Sequence, residues 1–538
     1  MTAPSVAKIL GLASFALLGA ASLRSKPIGL LERIYLNPVP LALTSQGEKT
    51  PFPGAISVAG LSELDPAQEG TVETMRELFR QIPAVRCDLN GSSAYRVEFA
   101  RNPAITQAEG YSLTSSASGI RIEAGTAAGE FYGAQTVYQL LAYAYYGTQM
   151  LAFSEVPAEP DAAQRRYIPS LKIEDHPAYA VRSVMLDLGR APYSKALLQR
   201  AIRIMGQLKL NTLHLHLYDD QLCSFRFAHL ALGHENPLAL GAADLRELVR
   251  YARVRHISVM PELESWGHVQ SIVAHYPETF GTAGVYAGAS FGVGTKTYDL
   301  LERIYDEIVP CLEDTAAVHV GLDEANWALL PGAENRDETP TKMVGRIYQI
   351  LMRVGDKYHK HLTMHLWADH GGRPLPAELD GKVVVEPWKY LGSDAPEIVK
   401  ALAQYGGAGK TPFMMAGGAS SQSIHGTYEA TRVWCTEGLK YPNALGVTLC
   451  VWESNDLGGR LITLYGGADY AWAPSRAPKL GKDPLGEKLR YRLDHQMQTW
   501  QLLFPDANPA AIDADRGPEV QGGHYAWPPF APASVRPE

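Results

Sequence analysis

Residues 181–452 alternate short apolar runs with amphipathic stretches, and this alternation constrains the fold more than any other feature. The runs have the length of buried strands and the stretches have helical periodicity, so the pattern indicates a parallel sheet with crossover helices. The eight predicted strands are Val181–Leu188, Thr212–Tyr218, Ile257–Pro261, Val318–Leu322, Leu362–Trp367, Val383–Trp388, Phe413–Ala416 and Gly446–Trp452. The predicted helices are Lys195–Lys209, Ala242–Arg255, Tyr298–Cys311, Thr341–His359, Ala395–Tyr405 and Glu429–Lys440. Eight such units predict a (β/α)8 TIM barrel.

A small α+β domain is predicted before the barrel, over residues 28–163. A strand at Tyr95–Phe99 and a hairpin made of Gly110–Thr114 and Gly119–Ala124 precede a helix at Thr126–Ala144. The fold class is therefore α/β, with a TIM barrel preceded by a small α+β domain.

The barrel domain is predicted to cover residues 168–505, after a linker at Glu155–Gln164 that is rich in Pro, Ala and acidic residues. An amphipathic helix at Arg490–Phe504 is expected to close the barrel. Residues 506–538 form a Pro-rich tail, which we expect to be extended.

The N-terminus, residues 1–25, has the pattern of a signal peptide or an N-terminal anchor. Lys8 precedes an apolar run, Ile9–Leu23, which is short for a membrane span. The prediction is an exported protein, periplasmic or extracellular, with no integral membrane domain beyond a possible anchor. A buried N-terminal helix is the alternative.

Composition excludes several classes of function. The net charge is −8 and no run of Lys and Arg is present, so nucleic acid is not an expected partner. The five cysteines are far apart and form no Cys-x-x-Cys pair, which argues against a zinc knuckle or a thioredoxin-type motif.

Polar and aromatic residues follow the predicted strands, at the edge where TIM barrels carry their active sites. Carboxylates, an arginine, a histidine and three tryptophans gather there; they are Asp187, Arg190, Asp219, Asp220, Glu262, Glu264, His268, Asp323, Glu324, Trp367, Trp388 and Trp452. Aromatic rings cover the apolar faces of sugars and charged groups bind their hydroxyls, so this set predicts a carbohydrate pocket. Two adjacent carboxyls, Asp323 and Glu324, suit acid–base work because close carboxyls push their pKa values apart.

Several motifs are similar to those of glycoside hydrolase family 20, the β-N-acetylhexosaminidases. R-S-V-M-L-D-L-G-R (Arg182–Arg190), K-L-N-T-L-H-L-H-L-Y-D-D-Q (Lys209–Gln221), P-E-L-E-S-W-G-H (Pro261–His268) and H-V-G-L-D-E (His319–Glu324) occur in the family's order. G-E-F-Y-G-A-Q-T-V-Y-Q-L-L (Gly129–Leu141) is similar to the family's small N-terminal domain. The resemblance covers most of the chain.

The resemblance implies an exo-enzyme that releases terminal GlcNAc or GalNAc from oligosaccharides or glycoconjugates with retention. The substrate's 2-acetamido oxygen attacks the anomeric carbon, so no protein nucleophile and no cofactor or metal is implied. Glu324 would be the general acid and base, and Asp323 would orient the acetamido group. Asp219 and His268 would form a relay with Glu324.

The sugar itself would be held by residues around this acid pair. By resemblance, Arg190 would bind sugar hydroxyls. The pocket around the acetamido group and the faces of the sugar ring would be lined by Trp367, Trp388 and Trp452. Glu453 is the acidic candidate for the outer hydroxyls.

Three positions depart from the family pattern. Leu322 replaces a Gly and is expected to put a bulky side chain beside the acid pair. Glu264 replaces the more usual Asp. The seventh strand region lacks the family's Tyr, and the sequence leaves open whether Tyr390 or Tyr428 replaces it.

Two other functions stay open. His214 and His216 lie two apart on one strand and share a face, as in barrels where His-x-His binds zinc for hydrolysis. The departures at Leu322 and the seventh strand also suit a non-catalytic barrel that binds amino sugars.

Overall fold

The computed structural model describes residues 36–150, 166–332, 337–369, 375–418, 424–476, 497, 498, 500–518 and 520. The predicted N-terminal signal or anchor, the whole predicted linker and most of the Pro-rich tail lie outside these residues. Among the described residues, no helix combines the length and the hydropathy that crossing a membrane requires.

A seven-stranded mixed sheet forms the first domain. Its strands are β1 (Ala42–Pro51), β2 (Ala55–Ala59), β3 (Arg86–Leu89), β4 (Tyr95–Arg101), β5 (Tyr111–Ser116), β6 (Gly119–Ala124) and β7 (Tyr167–Asp175), in the spatial order β1-β7-β5-β6-β4-β2-β3. The predicted hairpin is confirmed, because β5 and β6 pair antiparallel. Strand β7 pairs with β1 and β5. The sequence prediction assigned residues 168–175 of this strand to the start of the barrel domain, and the structure places them in the first sheet.

Eight parallel strands close a barrel, as predicted. The strands after β7 are β8 (Val181–Asp187), β9 (Thr212–His216), β10 (Ser258–Glu262), β11 (Phe280–Ala283), β12 (Ala289–Phe291), β13 (Thr315–His319), β14 (His361–Trp367), β15 (Val383–Glu386), β16 (Phe413–Gly418) and β17 (Ala444–Val451). Strands β11 and β12 pair only with each other, and the other eight form the closed barrel. Their interior residues are buried, as expected where helices cover a parallel sheet.

Helices cover the first sheet and surround the barrel. They are α1 (Glu69–Gln81), α2 (Ala127–Met150), α3 (Lys195–Gln207), α4 (Ala242–Arg253), α5 (Gln270–Val273), α6 (Thr295–Ile308), α7 (Pro340–Lys357), α8 (Ala395–Tyr405), α9 (Ile424–Gly438), α10 (Leu457–Trp472) and α11 (Pro509–Asp515). All six barrel helices predicted from the sequence are present, with ends shifted by a few residues.

The helix that follows the eighth barrel strand is α10, which the sequence prediction lacks. Every residue from Leu461 to Trp472 is buried, so the segment shows no polar stripe and no amphipathic periodicity. Of the predicted closing helix, Arg490–Phe504, residues 497, 498 and 500–503 are helical, whereas 490–496 and 499 lie outside the described residues. The prediction of an extended tail is wrong for its first part, because α11 packs against α10 and α3. Pro509 begins this helix, where a missing backbone N–H is harmless.

Buried charges join the two domains. The Asp175 carboxylate, at the end of β7, accepts hydrogen bonds from Tyr111 Oη (2.6 Å), Lys209 Nζ (3.0 Å) and Trp472 Nε1 (2.8 Å). Lys209 and Trp472 belong to the barrel domain and are fully buried. Arg182, on the first barrel strand, likewise donates to Glu109 of the first domain at 2.7 Å. The two domains therefore depend on each other for charge balance.

Replacing Asp175 with Ala is expected to lower the free energy of unfolding by about 3–5 kcal/mol, because it leaves the Lys209 ammonium buried without its counter-ion. Chemical denaturation of the full chain measures the change. The neighbouring Glu174 pairs with Lys172 on the surface, and Glu174→Ala is the matched control with no expected change. Equal stability of the two variants would contradict the role assigned to this ion pair.

Candidate active site

The acid pair lies on a tight turn directly after β13. Gly321, Leu322 and Glu324 have positive φ values of 67°, 79° and 46°, so the backbone turns sharply where the strand ends. A Cβ on Gly321 would overlap the Glu264 carboxyl group, which makes glycine necessary at that position. Gly267 is needed for a similar reason, since a Cβ there would lie 2.5 Å from the Asp323 carbonyl oxygen. These two glycines let the acid turn pack closely on the third strand end.

Leu322 does not project into the pocket as expected from the sequence. Its side chain is fully buried and belongs to the main hydrophobic core. The left-handed backbone at this position turns the side chain inward, at a strain of roughly 1–2 kcal/mol for a residue other than Gly. The departure at Leu322 therefore leaves the space around the acid pair open.

His268 lies between two pairs of carboxylates. Its Nε2 is 3.3 Å from Glu324 Oε2 and 3.7 Å from Asp323 Oδ2. Its Nδ1 is 3.4 Å from both Asp219 Oδ1 and Asp220 Oδ2. Burial opposes a charged imidazole, but Asp323 and hydrogen bonds with the other three carboxylates raise the pKa of His268 above its usual value. The other three predicted catalytic residues, Asp219, Asp323 and Glu324, thus converge on the His268 imidazole.

Two of these carboxyls have opposite shifts in pKa. Burial would raise the pKa of Asp219, but Arg190, His216 and His268 together hold it well below its usual range. Asp323 has a pKa of about 6, because burial and the negative charges of Asp369 and Glu262 outweigh the nearby histidines. Asp219 is therefore a permanent anion, whereas Asp323 changes its charge near pH 6.

Glu264 supplies a third carboxyl below the acid turn. Burial, Asp323 and Glu262 raise the pKa of Glu264 well above its usual value, which favours the protonated form of this carboxyl. The Leu322 backbone N–H points to Glu264 Oε2 at 3.4 Å.

Arg190 is held by two carboxylates at the ends of the first two barrel strands. Its guanidinium lies 3.1 Å from Asp187 Oδ2 and 2.7 Å from Asp219 Oδ2. Asp187 also accepts the backbone N–H of Glu453 at 3.0 Å, which joins the first strand end to the eighth. The Glu453 side chain is exposed and its charge acts on Arg190, so this residue lies at the rim of the site.

The three predicted tryptophans lie together in the pocket. Trp367 and Trp452 are 5.9 Å apart between ring centroids, and the Arg190 guanidinium lies 5.2 Å from the Trp452 ring. Trp367 is almost fully buried and Trp388 and Trp452 are partly exposed. These rings pack around a small floor made of Met185, Ala416 and Cys450.

Of the two tyrosines left open by the sequence, the structure places Tyr390 in this pocket. Its ring stacks on Trp388 at 5.6 Å, and its hydroxyl lies beside Trp452 and the Cys450 thiol. Strand β16 ends in Gly418, where a Cβ would lie 3.1 Å from the Tyr390 side chain. Tyr428 belongs to α9 and lies outside the pocket, because its ring packs against α10, 5.1 Å from the ring of Tyr470.

Asp369 is part of the site although the sequence did not single it out. It lies two residues after Trp367, and its carboxylate accepts the Glu324 backbone N–H at 2.9 Å and Trp388 Nε1 at 3.0 Å. Asp369 is far from the acid pair along the chain, so the sequence does not predict this contact. Its position just beyond a barrel strand is the one sequence feature that could have identified it as a site residue.

His214 and His216 point into the barrel interior beneath the pocket. Both lie close to Glu262 Oε2, at 3.0 and 2.8 Å, and His216 also contacts Asp219 at 2.9 Å. Trp367 Nε1 donates to the other oxygen of Glu262 at 2.6 Å. These side chains therefore form a buried network that supports the pocket from below.

Four groups of side chains in the described residues lie close enough to share a metal ion. They are His214, Glu262 and His319; His216, Glu262 and Glu264; Asp219, Asp220 and His268; and His268, Asp323 and Glu324. Glu262 and Asp219 already accept hydrogen bonds from protein donors, and the Arg190 cation contacts Asp219 directly. This donor set favours internal ion pairs over a divalent cation.

Two family models match adjacent stretches of the chain. The model for glycosyl hydrolase family 20, catalytic domain, matches residues 179–406, and the model for glycosyl hydrolase family 20, domain 2, matches residues 34–176. The first match contains the acid pair, His268 and Arg190, and it ends before the seventh barrel strand.

Individual proteins are similar over part of their length. The β-hexosaminidase of Porphyromonas gingivalis is 29% identical over 237 residues, which are 40% of this chain and 29% of that protein. The β-N-acetylhexosaminidase of Cellulomonas fimi is 28% identical over 255 residues, or 44% of this chain and 48% of that protein. The chain thus spans less than half the length of these relatives.

A solved structure has the same fold. Flavobacterium johnsoniae chitobiase matches with a TM-score of 0.66 and 18% identity, over 89% of this chain and 74% of that one. A mutant Streptomyces plicatus β-hexosaminidase in complex with its product GlcNAc matches with a TM-score of 0.60 and 21% identity, over 89% and 96%.

Proposed function

The chain belongs to glycosyl hydrolase family 20, and from that premise we propose that it is a retaining exo-β-N-acetylhexosaminidase. It releases terminal GlcNAc or GalNAc by substrate-assisted catalysis. The observation that carries the proposal is the convergence of Asp323 and Glu324 on His268, beside Arg190 and an aromatic pocket. The names of the relatives from Porphyromonas gingivalis and Cellulomonas fimi support the same reaction.

In the first step, the acetamido oxygen of the substrate attacks its own anomeric carbon. The bond to the leaving oxygen breaks, and Glu324 gives its proton to that oxygen as the aglycone departs. The amide nitrogen gains positive charge as the oxazolinium ring forms. The Asp323 carboxylate accepts the amide N–H and stabilises this charge.

In the second step, water attacks the anomeric carbon from the side that the aglycone left. Glu324, now a carboxylate, takes a proton from the water, and the ring opens to regenerate the acetamide. Two displacements at the same carbon retain its configuration. His268, placed between the Asp219 anion and Glu324, balances the charge changes of Glu324 electrostatically.

The substrate is held by charged groups on one side and rings on the other. Arg190, fixed between Asp187 and Asp219, donates to sugar hydroxyls, and Glu453 at the rim accepts from an outer hydroxyl. Trp388 and Trp452 cover the apolar faces of the sugar, and Trp367 forms the inner wall.

Tyr390 donates a hydrogen bond to the acetamide carbonyl, in place of the Tyr that the seventh strand lacks. Burial raises the pKa of its phenol well above the usual value, so the group is a neutral donor. The indole N–H of Trp452 is a donor only and uses an oxygen lone pair of Tyr390. The phenol proton, which lies at the Cys450 thiol, turns to the amide carbonyl when substrate binds. Tyr390 and Asp323 then contact the two ends of one amide.

Two departures from the family pattern favoured a non-catalytic sugar-binding barrel, and both are accounted for under this proposal. Leu322 packs away from the pocket, and Tyr390 fills the position that the seventh strand leaves vacant. The metal-dependent alternative is weakened because His214 and His216 lie beneath the pocket at Glu262. Activity that a chelator abolishes and zinc restores would revive it.

The proposed substrates are oligosaccharides or glycoconjugates outside the cytoplasm. The apolar run Ile9–Leu23 behind Lys8 supports export to the periplasm or the medium, with or without an N-terminal anchor. We expect activity of the full-length chain in the exported or membrane fraction of the producing cell. Activity confined to the cytoplasmic fraction would contradict export.

The reaction requires a 2-acetamido group, so nitrophenyl β-N-acetylglucosaminide is expected to be hydrolysed and nitrophenyl β-glucoside is not. Glu324→Gln and Asp323→Asn are each expected to lower kcat by roughly 10²–10⁴-fold, the range of general acid–base and electrostatic contributions. Steady-state rates on both substrates measure this. Absence of turnover with retained GlcNAc binding would favour the non-catalytic alternative, and hydrolysis of the glucoside at an equal rate would exclude the mechanism.

Tyr390→Phe removes one hydrogen-bond donor and is expected to lower kcat/KM for the N-acetylglucosaminide by roughly 10–100-fold. Tyr428→Phe is the matched control, because the same atom is removed between α9 and α10, and no change is expected. Wild-type kcat/KM in the Tyr390→Phe variant would show that another group binds the amide carbonyl.

A further inference from the structure

Two hydrogen bonds reach the Asp369 carboxylate from different parts of the pocket, and from them we infer that Asp369 is a positioning residue for the reaction. It fixes the backbone of the acid/base residue Glu324 and the ring of Trp388 relative to each other. The inference rests on the proposed function and adds a residue to it.

The Asp369 carboxylate has two acceptor oxygens, and each of them accepts one N–H group. Asp369 Oδ2 accepts the Glu324 N–H at 2.9 Å, and Oδ1 accepts Trp388 Nε1 at 3.0 Å. An ionised carboxylate has only acceptors, whereas an amide at the same place would turn a donor toward one of the two N–H groups. The identity of the side chain therefore matters, as well as its shape.

Glu324 needs such a restraint because its backbone is strained. Its φ of 46° lies in the left-handed region, which a residue other than Gly keeps only when its surroundings hold it. Asp369 binds the N–H of that same residue. A rotation there would swing the Glu324 carboxyl away from His268 and the leaving oxygen, and small misplacements of a catalytic group lower rates strongly.

The second hydrogen bond links the acid to the acetamide end of the pocket. Trp388 is partly exposed and stacks on Tyr390 at 5.6 Å. When Asp369 holds the Trp388 indole, it also limits the position of the Tyr390 ring. One carboxylate thereby sets the distance between the proton donor and the group that binds the amide.

Asp369 also contributes to the charge balance of Asp323. Burial is the largest influence on this carboxyl, followed by the His268 cation and then by Asp369. Glu262, Glu264, His216 and the neighbouring Glu324 are the other titratable groups around it. The negative charge of Asp369 favours protonated Asp323 and so helps to raise its pKa to about 6.

The test compares Asp369→Asn with the wild type on nitrophenyl β-N-acetylglucosaminide between pH 4 and pH 8. We expect kcat to fall by roughly 10–100-fold, because one of the two N–H groups loses its acceptor. Asp323 must be ionised to act, so the wild-type rate falls below about pH 6. Removing the Asp369 charge lowers the pKa of Asp323, so this acid limb is expected to move to lower pH.

A double-mutant cycle with Trp388→Phe separates positioning from general support of the loop. Phe has no N–H, so in that background the Asn side chain can turn its oxygen to Glu324 without a donor clash. Asp369→Asn is therefore expected to lower kcat less in Trp388→Phe than in the wild type. Asp244→Asn is the matched control, since Asp244 accepts the Gly241 N–H on an outer helix, and no change is expected.

The outcomes are distinct. If the wild type turns over and Asp369→Asn keeps its kcat and its acid limb, the inference is wrong and the proposed function stands. If the wild type is inactive, the proposed function is wrong. The role of Asp369 is then tested by titrating the wild type and Asp369→Asn with GlcNAc and following tryptophan fluorescence. Equal GlcNAc affinity in the two proteins would overturn the inference. If the Asn variant does not fold, Asp369→Glu replaces it and is expected to lower kcat with an unmoved acid limb.

Discussion

The His268 imidazole follows the third barrel strand and lies between carboxylates at the ends of the two strands that flank it, and the pocket depends on this interaction. Asp219 and Asp220 lie on one side of the ring, and Asp323 and Glu324 lie on the other. Four carboxylates this close would repel one another without a cation between them, and Arg190 adds a second cation beside Asp219. This balance keeps Asp219 ionised, and it leaves Asp323 with a pKa in the range where its charge responds to pH.

Departures from the family pattern are compensated by neighbouring residues in space. The seventh strand ends in Gly418 without a tyrosine, and the Tyr390 ring from the end of the sixth strand lies over that glycine. Leu322 replaces a glycine at a positive φ, and its side chain enters the core beneath the turn. Support from below comes from the buried histidines around Glu262, which also holds Trp367.

The barrel could be predicted because its strands are short continuous apolar runs and most of its helices show the helical period. Helix α10 could not, since it is apolar on every side and has no polar stripe to mark it. Strand β7 has the right pattern for a strand, but only pairing with β1 and β5 shows that it belongs to the first sheet. The start of the tail is helical because Asn508 caps α11 and Pro509 suits its first turn.

By itself, the sequence determined the fold class, the edge of the barrel where the polar residues gather and the adjacency of two carboxyls, Asp323 and Glu324, after the fourth barrel strand. Those properties follow from periodicity and from short motifs, in which each residue is read with its chain neighbours. Only the tertiary structure decided that Tyr390 rather than Tyr428 faces the pocket, and that Asp369 contacts both Glu324 and Trp388. These contacts join residues from different strand ends, up to 45 positions apart along the chain. Their distances depend on barrel closure and side-chain packing, which leave no period in the sequence.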